Sequence, residues 1–306
     1  MGYTVATSSG NLLDAIVAAS RRTVATRRAS ESATALASRA ARRQPRGAAF
    51  REHLARHGQI NVIAECKRRS PSRGVLRRDY NPGDIARSYE QGGASAISVL
   101  TEPAFFDGSL AHLEEVRAAV TLPILRKDFI IDEYQLLEAR AAGADAVLLI
   151  VAACSPSELA ALIEAARTMG LAVLVEAHAA DEIRQSVEAG ATIIGVNSRN
   201  LKTLDVDLGA CDALVGEIPP GCVAVAESGV RSREDVRHLH AIGYQAVLIG
   251  EWLMSAGDPR KTLQTVTEIG GAATLERGDP RKMHDGVPAT GERDDGAAGA
   301  TRRERR

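Results

Sequence analysis

Eight short apolar runs, each closed by a polar or glycine-rich turn and followed by an amphipathic stretch, limit what this chain can fold into. The runs are "NVIAECK", "SAISVLT", "PILRKDF", "DAVLLIV", "AVLVEAH", "TIIGVNS", "VAVAESG" and "AVLIGEW". Between them lie helical patterns such as "ADEIRQSVEAG" and "PSELAALIEAARTMG". The second sets Leu159, Leu162, Ile163 and Ala166 on one face and stops at Gly170. Strands that alternate with helices pair in parallel through right-handed crossovers. Eight such units fit an α/β fold of the (β/α)8 TIM barrel type better than an open doubly wound sheet. No GxGxxG follows the first run, which also counts against the open sheet.

The ends differ from this repeat. Residues 1–47 are rich in Ala, Ser and Arg, and "SSGNLLDAIVAASRR" reads as an amphipathic helix. Ser9 or Asn11 is placed to cap it, and Leu12, Ile16 and Ala19 share a face. An Arg-rich, acid-poor start also fits a transit peptide, but a helical extension docked on the barrel is the preferred reading. Residues 273–306 are Gly-rich, of mixed charge and nearly free of large apolar residues. Such a segment cannot offset its ordering entropy and is expected to be disordered. The expected division is therefore an extension over 1–47, a catalytic barrel over 48–272 and a tail over 273–306.

Composition excludes several classes. The formal net charge is −1, which gives no electrostatic case for nucleic acid or a membrane surface. The longest apolar run, Ala146 to Cys154, is far below the roughly 20 residues that span a bilayer. Aromatic residues make up 3%, too few for base-stacking platforms. Cys66, Cys154, Cys211 and Cys222 form no CxxC pair and no zinc spacing, so buried reduced thiols in a cytoplasmic protein are expected.

In a barrel the active site lies at the C-terminal ends of the strands. Side chains alternate with period two, so Glu65 and Lys67 share a face about 7 Å apart while Cys66 points the other way. Lys127 ends the third run, Glu176 the fifth, Asn197 and Arg199 the sixth, Glu227-Ser228-Gly229 the seventh and Gly250-Glu251 the eighth. A single charged residue at a strand end is usually a solvated rim. Six of the eight runs ending this way suggest a cleft of ionisable groups suited to acid–base work. Lys127 is a candidate acid and Glu176 a candidate base. Glycines before helices in the seventh and eighth loops suit a phosphate, which backbone amides there can cradle.

The same residues carry a resemblance. "VIAECKRRSPSRG", "GGASAISVLTEPAFFDGSL", "PILRKDFIIDEYQLLEARAAGADAVLLIVA", "LVEAH", "IGVNSRNLKTLDVD", "AESGV" and "LIGEWLM" together resemble the indole-3-glycerol-phosphate synthase family, from about Asn61 to Met254. The resemblance implies closure of an indole ring on 1-(2-carboxyphenylamino)-1-deoxyribulose 5-phosphate, with loss of carbon dioxide and then water. By that resemblance Lys127 matches the general acid and Lys67 the lysine near the substrate carboxylate. Glu176 matches the carboxylate that meets positive charge on the aniline nitrogen or acts as base, and Glu65 the partner in dehydration. Asn197 would orient a substrate hydroxyl. Ser70 and Arg199 match substrate-binding positions, and Phe129 an apolar wall. Glu227, Ser228, Gly229 and Gly250 match the sugar-phosphate end. The implied partner is a phosphorylated small molecule, with no cofactor, no metal, no nucleic acid and no membrane, and the implied assembly is a monomer or weak homo-oligomer.

The chain departs from the pattern in three places. Cys66 stands where an aliphatic or aromatic residue is expected, and should face the helices. Glu251 follows the phosphate-loop glycine where some members have serine. Its carboxylate is expected to turn away, leaving backbone amides for the phosphate. The first residues match only in being helical and basic. Two rivals remain: a Schiff-base aldolase using Lys127, and a phosphosugar sensor without catalysis.

Overall fold

Parallel strands buried on both faces need near-continuous apolar sequence, and the eight runs supply it. The computed structural model describes residues 12–200 and 204–268. The strands are β1 (Asn61–Cys66), β2 (Ala96–Leu100), β3 (Ile124–Lys127), β4 (Ala146–Ile150), β5 (Ala172–Ala177), β6 (Ile193–Asn197), β7 (Val223–Glu227) and β8 (Ala246–Ile249). Each pairs in parallel with the next, and β8 returns to β1 with Ile63 opposite Leu248, closing the barrel. The tail over 273–306 and the cap at Ser9 or Asn11 lie outside the described residues.

Period-two alternation divides the core into two layers. Ile63, Leu125, Leu148, Leu174, Ile193, Val225 and Leu248 fill the inside. Val62, Ala64, Cys66, Ile97, Val99 and Val147 pack outward against the helices. At about 2 kcal/mol for each fully buried aliphatic side chain, both layers contribute heavily to stability. Cys66 faces the helical layer, as expected, and burial pushes its thiol pKa up. All four cysteines are free; Cys66 and Cys211 are buried, whereas Cys154 and Cys222 are half-buried.

The helices follow local sequence signals. In α8 (Pro156–Thr168), Ser155 and Glu158 form a capping box, and the buried face is Leu159, Leu162, Ile163 and Ala166. In α7 (Glu133–Ala142), the helix stops at Gly143, whose φ of 95° only glycine adopts without strain.

Three helices precede β1, and each meets a different part of the barrel. Helix α1 (Leu12–Ser30) lies by the C-terminal rim, where Leu13 and Ile16 join Phe105, Phe106 and Phe129. Its buried stripe is Leu13, Ile16, Ser20 and Val24, rotated from the expected Leu12, Ile16 and Ala19. Packing against the rim aromatics, not hydrophobicity alone, selects that face. Helix α2 (Ala33–Ala40) runs along α7 through Leu36, Ala40, Tyr134 and Ala141. Helix α3 (Gly47–Leu54) reaches the opposite end, where the fully buried Phe50 and Leu54 join the inner layer and close the barrel floor. A Cβ on Gly47 would sit 2.5 Å from the Ala172 backbone nitrogen, so only glycine permits this approach.

Candidate functional site

Strand ends bring the sequence-selected residues to one rim cavity of about 290 Å³. Glu65, Lys67, Lys127, Phe129, Glu176, Asn197, Arg199, Glu227, Ser228, Gly229, Gly250 and Glu251 all line it. Ser70 does not. It is buried in the turn after β1, where its hydroxyl accepts from the Arg73 N–H at 3.2 Å, and it faces a smaller pocket with Leu12, Leu13 and Ile16.

Lys127 is the centre of the polar cluster. Its ammonium lies 3.0 Å from Glu176 Oε2 and closer still to Glu227 Oε2. Asn197 Nδ2 donates to Glu176 Oε1 at 2.9 Å, and the Arg199 N–H donates to Asn197 Oδ1 at 2.9 Å, which fixes the amide. Lys67 pairs with Glu65 at 2.7 Å, as expected for neighbours on one strand face.

Burial and charge pull these groups in different directions. Burial alone would lower the Lys127 pKa, but Glu176, Glu227 and Glu65 outweigh it and raise it above the ordinary lysine value. Burial pushes Glu227 up to about 7; Lys127 pulls it down, and the like charge of Glu176 adds to the rise. Glu176 is buried as deeply, yet Lys127, His178 and the Asn197 hydrogen bond hold it below its usual value. Two carboxylates share one lysine, and one is ionised more readily than the other. Such separation marks acid and base roles.

Space for these carboxylates comes from missing side chains. A Cβ on Gly195 of β6 would lie 2.0 Å from Glu227 Oε1. A Cβ on Gly250 would lie 2.3 Å from Glu65 Oε1 and 3.1 Å from Lys67 Nζ. Behind β3, Arg126 is fully buried and pairs with Asp128 at 2.8 Å and Glu138 at 3.1 Å, while Arg27 of α1 reaches Glu138 at 3.2 Å. This network ties α1 and α7 to the strand that carries Lys127.

The loops form the cavity mouth. Ser228 and Gly229 both have positive φ, 66° and 79°. Strand β8 ends at Ile249, and Gly250 precedes the short helix α12 (Glu251–Ser255). After β1 the chain makes a small antiparallel hairpin, pairing Arg69 with Val75 and Ser70 with Gly74. The Glu251 side chain corrects the expectation that it turns away. It faces the cavity, 3.0 Å from Arg199 Nη2 and 3.6 Å from Arg73 Nε, and accepts from Ser72 at 3.4 Å. Two arginines offer it more than solvent does, so this carboxylate occupies cationic partners at the mouth. An apolar wall completes the cavity, with Leu100, Leu148, Ile150, Leu248 and Phe106, whose ring lies 6.2 Å from that of Phe129.

Sequence reasoning missed Ser72, Arg73, Phe106, Gly195, His178 and Arg126. Only Arg126 left a readable signal: an arginine inside an apolar run must find buried partners.

The family profile described as indole-3-glycerol phosphate synthase matches residues 13–266. The chain is 49% identical over 269 residues to the indole-3-glycerol phosphate synthase of Arthrobacter sp. (strain FB24), covering 87% of this chain and 99% of that protein. It is 54% identical over 205 residues to indole-3-glycerol phosphate synthase 2 of Streptomyces coelicolor, covering 67% and 80% respectively. Among solved structures, thiamine phosphate pyrophosphorylase from Pyrococcus furiosus superposes with a TM-score of 0.54 at 18% identity, covering 70% of this chain and 96% of that one. That likeness concerns the fold alone.

Proposed function

The chain belongs to the indole-3-glycerol phosphate synthase family, and we propose that the Lys127 cluster performs the proton transfers of its ring closure. The activity is that of a carboxy-lyase of tryptophan biosynthesis acting on a phosphorylated substrate. The reaction joins the carboxyl-bearing ring carbon to the ketone carbon, releases carbon dioxide, and expels the former carbonyl oxygen as water.

One observation carries the assignment: Lys127 bridges two buried carboxylates whose pKa values move apart. In this reading the Lys127 ammonium protonates the carbonyl oxygen as the ring closes, takes up a proton from solvent through the open cavity, and then protonates the hydroxyl as it leaves. Glu176, held ionised, takes the proton that leaves the carbon next to nitrogen as dehydration completes the indole. Asn197 orients a substrate hydroxyl. Lys67 meets the substrate carboxylate, and Glu65 keeps that lysine in place at 2.7 Å and assists dehydration. Phe129 and Phe106 flank the aromatic ring. Ser228, Gly229 and Gly250 offer backbone amides to the phosphate, with Arg199 beside them, and Ser70 orders the hairpin that covers the mouth. The raised Lys127 pKa counts against the Schiff-base aldolase, which needs an unprotonated amine.

The test is direct. Purified protein given the carboxyphenylamino-deoxyribulose phosphate should release a product with indole fluorescence; binding without product would favour the sensor instead. The further proposals are a barrel unit over 48–272, a cytoplasmic location and a monomer or weak homo-oligomer, which sedimentation would test. No helix among the described residues is long and apolar enough to cross a membrane.

A further inference from the structure

Glu176 and Glu227 meet the same ammonium and are both almost fully buried, and yet their pKa values move in opposite directions. Their remaining oxygens explain the difference. Glu227 Oε1 has no hydrogen-bond partner and lies against the bare Gly195. Glu176 Oε1 receives the Asn197 amide at 2.9 Å and has His178 Nε2 at 3.6 Å. His178 lies two residues on, just past the end of β5, and is not part of the cavity wall. Its Nε2 is buried and has no hydrogen-bond partner among the described residues, and the carboxylate nearest to it is Glu176.

The ring is held from the other side. Glu182, in the first turn of α9 (Ala180–Glu188), accepts the His178 backbone N–H at 2.6 Å and lies 3.5 Å from Nδ1. The groups acting on the imidazole are Glu176 from its own strand, Glu182 from α9 and Glu227 from β7, all carboxylates; Lys127 stands on the far side of Glu176. A ring with carboxylates near both nitrogens favours the imidazolium, which carries a proton on each. Burial works against that charge, but the Glu182 hydrogen bond and Glu176 outweigh it, so the histidine pKa rises.

Lys127 supplies one positive charge to two carboxylates. We propose that His178 is a positioning residue that supplies the second charge to Glu176 and so decides which of the two carboxylates serves as the base. It touches no substrate and acts only through Glu176 Oε1. Without it, Glu176 and Glu227 become near equivalents around Lys127 and share a proton between them. This inference rests on the proton-transfer reading of the cluster. Product formation by the unsubstituted enzyme tests that reading separately.

The experiment is the pH profile of kcat/KM for the full chain and for His178→Gln and His178→Lys, with far-UV circular dichroism as the check on folding. Activity that needs ionised Glu176 is lost as pH falls through its pKa. Removing a cation beside it moves that acidic limb to higher pH. One opposite charge at this range shifts a carboxyl by about one unit or more. His178→Gln should therefore lose activity toward about tenfold on the acidic limb, where Glu176 of the original chain is being protonated, and little at pH 8, and His178→Lys should keep the limb near its original position. A His178→Gln limb that does not move overturns the proposal. So does an equal shift in both folded variants, or a loss that is the same on the acidic limb and at pH 8, since each would mean a packing role without charge.

Discussion

Lys127 Nζ and Glu176 Oε2 lie 3.0 Å apart, and their side chains are only 15% and 3% exposed. The proposed donor and acceptor of protons are thus in contact before substrate arrives, and both are largely shielded from water. Replacing either should stop chemistry without removing the binding surfaces around it. Lys127→Ala and Glu176→Gln are each expected to cut kcat by about a hundredfold or more, the scale of a proton-transfer group. Indole fluorescence in single-turnover mixtures measures this, and near-normal kcat would remove that residue from the mechanism.

Glu227 links the site to stability. Its folded pKa of about 7 stands above its ordinary 4.5. Between these values the folded chain keeps a proton that the unfolded chain has lost. The stabilisation from this group is complete below about 4.5 and disappears as pH rises through 7. At about 1.4 kcal/mol per unit it amounts to a few kcal/mol at most. Glu227→Gln should remain protonated in effect, so its stability relative to the original chain should rise between pH 5 and pH 8. Urea unfolding at both pH values checks the sign; a constant difference would show that Glu227 does not titrate in this range.

Glu251 pairs at 3.0 Å with Arg199, the arginine proposed to lie beside the substrate phosphate, so the two should compete for it. A partly exposed ion pair is worth about 0.2–1 kcal/mol, so freeing the arginine should lower KM by up to about fivefold. Glu251→Ser should show this with kcat little changed, and inorganic phosphate should inhibit the variant at lower concentration. A raised KM would mean that the carboxylate matters more for holding the Ser72–Arg73 hairpin in place than it costs in competition.

Arg126 predicts a stability effect without chemistry of its own. Its guanidinium is fully buried among Asp128, Glu138, Thr101 and the Gln135 carbonyl. Arg126→Met leaves two buried carboxylates short of a partner. Breaking a buried pair in this way costs about 3–5 kcal/mol. The expected result is a lower urea midpoint; a shift equivalent to less than about 1 kcal/mol would show that α7 and α1 relax around the gap.

The strands, their order and the cavity residues were readable because each rests on a local rule. Two-sided burial demands apolar runs, alternation aims Glu65 and Lys67 together, and the barrel topology gathers strand ends. What was not readable depends on contacts between distant segments. Nothing in "TIIGVNS" tells that Gly195 leaves room for Glu227, since that is a fact about two neighbouring strands. The buried stripe of α1 is chosen by Phe105, Phe106 and Phe129, which lie far along the chain. Glu251 misled because its local position, after a glycine at a helix start, gives no hint of arginines arriving from the first and sixth loops. His178 was passed over because its meaning lies in the one oxygen that it faces.

Phe50 and Leu54 close the far end of the barrel. Among the described residues, that plug leaves the barrel interior open at one end, a vessel with one doorway. Substrate must enter, and carbon dioxide, water and the bulkier indole product must leave, by the same opening under the Ser72–Arg73 hairpin. Traffic through one doorway is sequential by geometry, so the small products have to escape past the large one or wait for it. Catalytic speed is then bounded by how fast the mouth clears, whatever the speed of the protons inside.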